Sequence, residues 1–184
     1  MDHYIDISIL LDPEFSAPVL MNVVYSRLHQ AVCDHQSTSM GIRVPKYNVT
    51  LGNVLRIHGN KKKLLELQEL GWFVGMSSYC AISSVLLVPV NTKFRTVSRL
   101  QPTMSQAKLR RLIKREALSE AEVSQYKAKM FSKGLDNPYV ELVSGSNGQK
   151  HRRYIKFGDL RDQSVSGEFD QFGLSKTATV PWFD

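Results

Sequence analysis

The chain of 184 residues is short of several things. Cysteine occurs twice, as Cys33 and Cys80, in no spacing that resembles a disulfide framework or a zinc site. Each reads as a small core residue of a reducing compartment, and no metal is expected. Long hydrophobic runs are also missing. The longest is Val85-Leu86-Leu87-Val88-Pro89-Val90, far below the ~20 apolar residues of a membrane helix. Met1-Asp2-His3-Tyr4 lacks the basic-then-apolar order of a signal peptide. The expectation is a cytoplasmic protein with no membrane partner. With 11 glycines and 7 prolines, collagen-like and wholly disordered readings drop out. The length suits one large domain or two small ones.

The most informative scarcity is of negative charge. No acidic residue stands between Glu69 and Glu116, while Lys93, Arg95, Arg99, Lys108, Arg110, Arg111, Lys114 and Arg115 all do. The first 60 residues are near neutral, so the net charge of +7 is concentrated rather than spread. A solvated helix face usually mixes both signs. A block of one sign carries self-repulsion that contact with phosphates would relieve, which points to nucleic acid.

The periodicities give an order of elements. Ile5, Ile7 and Ile9 alternate as in a strand over residues 4–10. Leu20, Val24, Leu28 and Ala31 recur at helical spacing over about 17–34. Short strands follow at 41–44 and 53–58. Asn60 caps a helix carrying Leu64, Leu65, Leu67 and Leu70. Residues 79–88 read as one longer, mostly buried strand. The result is an α+β chain with an N-terminal ferredoxin-like (RRM-like) β-α-β-β-α-β domain over 1–90. The aromatic signature for base stacking on an open sheet is absent. Pro89 to Pro102 reads as a connector. A smaller α+β region over 91–184 then carries a basic helix from Ser105 to Ala117. A capped helix begins at Ser119, and strands are expected at 139–143, 152–157 and 165–169.

Four groups of residues carry possible chemistry. Arg110, Arg111, Lys114 and Arg115 share roughly one helix face, Lys108 extends it, and Leu109, Leu112 and Ile113 supply the packing side. Such a helix enters a groove. The RNA major groove opens only at the end of a short stem, so a hairpin suits it better than a long duplex, and the wide groove of DNA competes. Arg99 and Gln101 lie two apart on an extended segment and point the same way. Arginine reads guanine and glutamine reads adenine; alternatively both are exposed linker residues. His29 sits at the margin of the first helix's apolar stripe. Histidine is the natural proton-transfer group near neutral pH, and His3, His35, His58 and His151 compete for that role. Ser144-Gly145-Ser146-Asn147-Gly148-Gln149 is a polar loop between strands. It is either a hairpin turn or a donor of N–H and hydroxyl groups to phosphate or ribose. Lys150, Arg152, Arg153 and Lys156 follow it.

Together these residues resemble the CRISPR-associated endoribonuclease family of type I-F systems, which processes precursor CRISPR RNA. The resemblance runs through Met1-Asp2-His3-Tyr4-Ile5-Asp6-Ile7, Asp12-Pro13-Glu14-Phe15, Leu28-His29-Gln30 and Val97-Ser98-Arg99-Leu100-Gln101. It continues in Leu109-Arg110-Arg111-Leu112-Ile113-Lys114-Arg115, Phe172-Gly173-Leu174-Ser175-Lys176 and Val180-Pro181-Trp182-Phe183. It implies binding of the CRISPR repeat stem-loop and metal-independent, cofactor-free cleavage 3′ of the stem. The ends left would be a 2′,3′-cyclic phosphate and a 5′-OH. The product would stay bound, with the protein joining the other subunits of the surveillance complex.

By the same resemblance His29 takes the 2′-OH proton, Ser144 holds that hydroxyl in line, and Ser146 contacts the ribose-phosphate. Arg99 and Gln101 read the lowest base pairs. Lys108, Arg110, Arg111, Lys114, Arg115 and Arg152 contact RNA. Three positions depart from the family pattern: Phe172 replaces its site tyrosine, His151 its stem-stacking phenylalanine, and Glu116 an arginine at the end of the basic helix. Phe172 packs on the histidine without hydrogen-bonding to it, which keeps a non-catalytic hairpin-binding subunit as the alternative. A DNA-binding regulator is the third reading.

Overall fold

The computed structural model describes residues 1–101, 106–132, 137–143 and 148–183. The alternating isoleucines form strand β1 (His3–Ile9), in which Ile5, Ile7 and Ile9 are buried. Helix α1 (Ala17–Asp34) starts with Pro18 in its first turn, where a missing N–H costs nothing. It buries Leu20, Met21, Val24, Tyr25, Leu28, Ala31 and Val32 along one stripe. Strands β2 (Gly41–Arg43) and β3 (Val54–Gly59) follow. Helix α2 (Lys61–Glu69) is capped by Asn60, whose side chain accepts from the Lys63 N–H. Strands β4 (Cys80–Ile82) and β5 (Leu86–Leu87) complete the first sheet. Its order is β2-β3-β1-β4 with β5 also on β1, and every pairing is antiparallel.

The second sheet has the order β7 (Tyr139–Val143), β8 (Lys150–Phe157), β6 (Lys93–Leu100), β9 (Thr179–Trp182), again antiparallel. Strand β6 is its spine, pairing with β9 through its first half and β8 through its second. Between β6 and the remaining strands come α3 (Gln106–Lys114) and α4 (Glu120–Ser132), which pack on each other. Strands β7, β8 and β9 end the chain. One buried cluster runs through both sheets, from Ile5 and Leu28 to Val97, Ile155 and Val180.

Contacts of several kinds join the sheets, a bridge between Thr50 and Tyr139 among them. Helix α1 lies against β7, where Asn22 accepts from the Glu141 N–H at 3.1 Å. The C-terminal aromatics are interleaved with arginines from both sheets. Arg95 and Arg43 stack on Trp182 at 4.6 and 4.4 Å, and Arg56 stacks on Phe183 at 4.3 Å and Tyr4 at 4.4 Å. Arg56 also binds Asp6 through two hydrogen bonds of 2.7 and 2.8 Å. Such desolvated stacks and forked pairs are among the stronger cationic contacts.

Four local expectations are corrected. Residues 79–88 are not one buried strand: Ser83 and Ser84 divide them, because the Ser83 hydroxyl takes the Asp6 N–H that a strand carbonyl would take. Leu86 and Leu87 beyond the break are exposed. The segment from Pro89 to Pro102 is not merely a connector, since it contains β6. No strand forms at 165–169; Val165 is instead tied to Thr179 by N–H bonds in both directions. The missed strand is β9, which tolerates Pro181 because it lies at a sheet edge. On α3, Leu109 is buried but Ile113 is exposed, so the packing side is narrower than its spacing suggests.

Candidate active site

His29 projects from the fourth turn of α1 towards the 170–174 turn. Its Nδ1 lies 2.9 Å from the Gln171 carbonyl oxygen. A carbonyl only accepts, so Nδ1 carries a hydrogen, and in the neutral ring Nε2 is the nitrogen with the free lone pair. The imidazole stacks on the Phe172 ring at a centroid distance of 3.6 Å and an interplanar angle of 13°. Cys33, one turn along the same helix, touches the ring, with Sγ 3.5 Å from Nδ1 and 3.9 Å from Nε2. Burial, then the Asp34 carboxylate, pushes the Cys33 thiol up, so it stays uncharged.

The turn that holds the imidazole is itself tightly held. Asp170 accepts from the N–H groups of Phe172 and Leu174, both at 2.9 Å. The buried Tyr25 hydroxyl donates to the Phe172 carbonyl at 2.9 Å. Burial pushes the Tyr25 phenol far up, so it remains a donor. Gly173 has φ +69°, and a Cβ there would lie 2.7 Å from Ile42. Only glycine meets both demands.

The imidazole opens into a cavity of about 330 Å³ lined by Ser26, His29, Gln30, Leu142, Val143, His151, Arg153 and Phe172. His151 and Arg153 are alternate residues of β8 and face the same way. Arg153 is 8% exposed, and its guanidinium carbon lies 3.4 Å from the Phe172 centroid. Burial, and to a lesser degree Arg99, lowers its affinity for its proton. A second cavity of about 650 Å³ is lined by Thr96, Ser98, Arg99, Leu100, Gln101, Lys156, Gly158, Asp170 and Lys176. The 170–174 turn contributes Asp170 to one cavity and Phe172 to the other.

The structure thus brings His29, His151 and Phe172 together, and separately brings Arg99 and Gln101 together. Ser144 and Ser146 lie outside the described residues; Val143, which precedes Ser144, lines the His29 cavity. Lys108, Arg110, Arg111 and Lys114 are exposed on α3, and Arg115 is exposed just past its end. Arg152 points to the other face of β8, where it binds Glu141 at 3.0 Å and stacks on Tyr139 at 4.3 Å. Tyr25 and Gln171 were not legible in advance, because each acts through a backbone carbonyl or hydroxyl 140 positions or more away in the chain. Arg153 had a signal: it alternates with His151 beside the polar loop.

Residues 4–183 match the family model described as CRISPR-associated protein (Cas_Csy4). The chain belongs to that family. It is 38% identical over 184 residues to the CRISPR-associated endonuclease Cas6/Csy4 of Escherichia coli (strain UTI89 / UPEC), covering all of both chains. It is 37% identical over 187 residues to the protein of the same name from Pseudomonas aeruginosa (strain UCBPP-PA14), again over the full length of each. Among solved structures it is similar to the CRISPR endoribonuclease Cse3 bound to 19 nt RNA, at 11% identity and a TM-score of 0.39, covering 98% of this chain and 100% of that one. The resemblance read from the separated motifs therefore holds as a family assignment. The Cas_Csy4 match spans both cavities and the basic helix, and no helix among the described residues is long and apolar enough to cross a membrane.

Proposed function

We propose that this Cas_Csy4 protein is a metal-independent endoribonuclease. It binds the CRISPR repeat stem-loop and cuts precursor CRISPR RNA 3′ of the stem. The observation that carries the reading is the His29 geometry: Nδ1–H is bound to Gln171, which leaves Nε2 as the nitrogen that can take a proton, and the imidazole lines an open cavity. The endonuclease names of its full-length relatives agree with it.

In the cleavage step the 2′-oxygen attacks the adjacent phosphorus and the P–O5′ bond breaks. The 2′-OH proton passes to Nε2 of His29, and the departing 5′-oxygen takes a proton from water. A 2′,3′-cyclic phosphate and a 5′-OH remain. Ser144 is assigned to hold the 2′-OH in line, and Ser146 to the neighbouring ribose-phosphate. Orientation of this kind supplies much of such a rate, so few groups suffice. His151 is assigned to stack against the foot of the stem. Arg99 and Gln101 are assigned to the lowest base pairs, with Lys156 and Lys176 supplying positive potential around them. Lys108, Arg110, Arg111, Lys114 and Arg115 line the stem's groove and phosphates, and Arg152 reinforces the positive flank of β8.

The β2-β3-β1-β4 order supports a ferredoxin-like N-terminal half over 1–90 that carries the base. The half over 91–184 then holds the stem. The product stays bound, and the protein enters the cytoplasmic surveillance complex with its other subunits.

The test is incubation of a transcript of the repeat array beside this protein's own gene with wild type and His29→Ala, in EDTA. Wild type is expected to cut once per repeat in chelator, and His29→Ala to bind without cutting. Cleavage that stops in EDTA, or persists in His29→Ala, would overturn the mechanism.

A further inference from the structure

The Phe172 ring has a partner on each face. His29 stacks at 3.6 Å and the Arg153 guanidinium carbon lies 3.4 Å from the same centroid. At those distances each group sits almost over the ring centre, and two groups cannot share one face. The order is therefore imidazole, phenyl, guanidinium, with both outer groups bordering one cavity.

Arg153 is poorly provided for by its own chain. Its side chain makes no hydrogen bond and no ion pair among the described residues, and its buried Nε has no partner. The neighbouring Arg152 has taken Glu141. Asp170 acts on Arg153 only as a charge without a salt bridge, and its Oδ1 is taken by two N–H groups of its own turn. A buried cation without acceptors is costly. The cavity beside it is where acceptors would arrive, and a guanidinium fork matches phosphate oxygens.

We propose that Arg153 is a further catalytic residue of this site, whose guanidinium donates hydrogen bonds to a non-bridging oxygen of the scissile phosphate. The proposal rests on the cleavage reading given above. When the 2′-O–P bond forms and the P–O5′ bond breaks, negative charge gathers on the non-bridging oxygens. Arg153 stabilises it there without exchanging a proton, while His29 takes the proton of the 2′-OH. Phe172 acts as the spacer that sets the base and the cation on either side of one phosphodiester.

The experiment is single-turnover cleavage of the repeat hairpin by wild type, Arg153→Leu and Arg153→Lys. Affinity for the same hairpin with a 2′-deoxy nucleotide before the cut, and thermal midpoints, are measured alongside. Arg153→Leu is expected to slow cleavage by about 100-fold or more, with affinity for the deoxy hairpin nearly unchanged. Arg153→Lys should fall between. One phosphorothioate isomer at the scissile position should slow wild type, and that penalty should shrink in Arg153→Leu. If Arg153→Leu does not fold, the same comparison is made with Arg153→Lys. Wild-type rates in Arg153→Leu, or an unchanged sulfur penalty in the variant compared, would overturn the proposal while wild-type cleavage and its loss in His29→Ala leave the broader reading standing. A wild-type protein that leaves the hairpin intact would sink both.

Discussion

His29 shows how a single hydrogen bond assigns a role to a residue. With Nδ1–H committed to Gln171, the imidazole can accept a proton only at Nε2, whichever way the substrate approaches. In the proposed function Arg99 is the corresponding residue for recognition. Placed with Gln101 in the larger cavity, it should contribute discrimination at one base pair. Arg99→Ala is expected to lower that preference by about 1–3 kcal/mol, read by binding to hairpins altered one pair at a time. Equal losses on every hairpin would refute base reading. A third residue, His58, speaks to stability. It is fully buried, and neither ring nitrogen has a hydrogen-bond partner among the described residues. Burial first, then Arg56 and Arg43, holds its pKa well below the usual histidine range. The unfolded chain therefore binds this proton more readily than the folded one. Stability from His58 is complete above an unfolded pKa of about 6.5 and declines as pH falls below it, at up to about 1.4 kcal/mol per pH unit. Wild type should lose thermal stability between pH 7 and pH 5 more steeply than His58→Gln; parallel pH profiles would contradict this.

At the scale of elements, the 170–174 turn decides the site. It presents a carbonyl to His29 and a ring to stack on, and it is pinned by Tyr25 from α1 and by the fit of Gly173 against Ile42. Tyr25→Phe removes one buried hydrogen bond and is expected to cost about 1 kcal/mol. Because the turn orients the imidazole, cleavage should slow more than the affinity for the deoxy hairpin falls. A loss of stability with no change in cleavage rate would show that the turn does not orient the base.

The sequence made α1 and β1 legible because their apolar residues follow the helical and strand periods closely. Asn60 and the Ser119–Glu122 box marked the starts of α2 and α4 by chemistry that the structure reproduces, with Glu122 accepting from the Ser119 N–H at 2.8 Å. Strand β9 escaped notice because Pro181 and alternating threonines hide an edge strand. The serines at 83 and 84 were invisible as a break because a hydroxyl had replaced a ladder acceptor. His29 was visible only as a histidine at a stripe's margin; its partner Gln171 lies in a loop that no local pattern could join to α1.

On the scale of the whole molecule, charge and core are arranged differently. The core is continuous through both sheets and is tied at the C-terminus by the Arg43, Arg56 and Arg95 stacks on Trp182 and Phe183. Exposed positive charge is instead gathered on α3 and around the Arg99 cavity. Binding should therefore be strongly salt-dependent. Lys114→Ala is expected to weaken binding evenly across stem sequences and reduce the slope of log affinity against log salt by about one. A sequence-selective loss would place Lys114 on a base instead. The acid-free stretch from Leu70 to Arg115 announced this asymmetry, but not that β6 within it would be the spine of the second sheet.

The most direct measurement replaces one hydroxyl in the RNA. The repeat transcript is prepared with a single 2′-deoxy nucleotide immediately before the cut and given to the wild-type protein beside the all-ribose RNA. The account predicts equal binding of both, with only the all-ribose transcript cleaved, to a 2′,3′-cyclic end. Cleavage of the deoxy transcript at the all-ribose rate would contradict it.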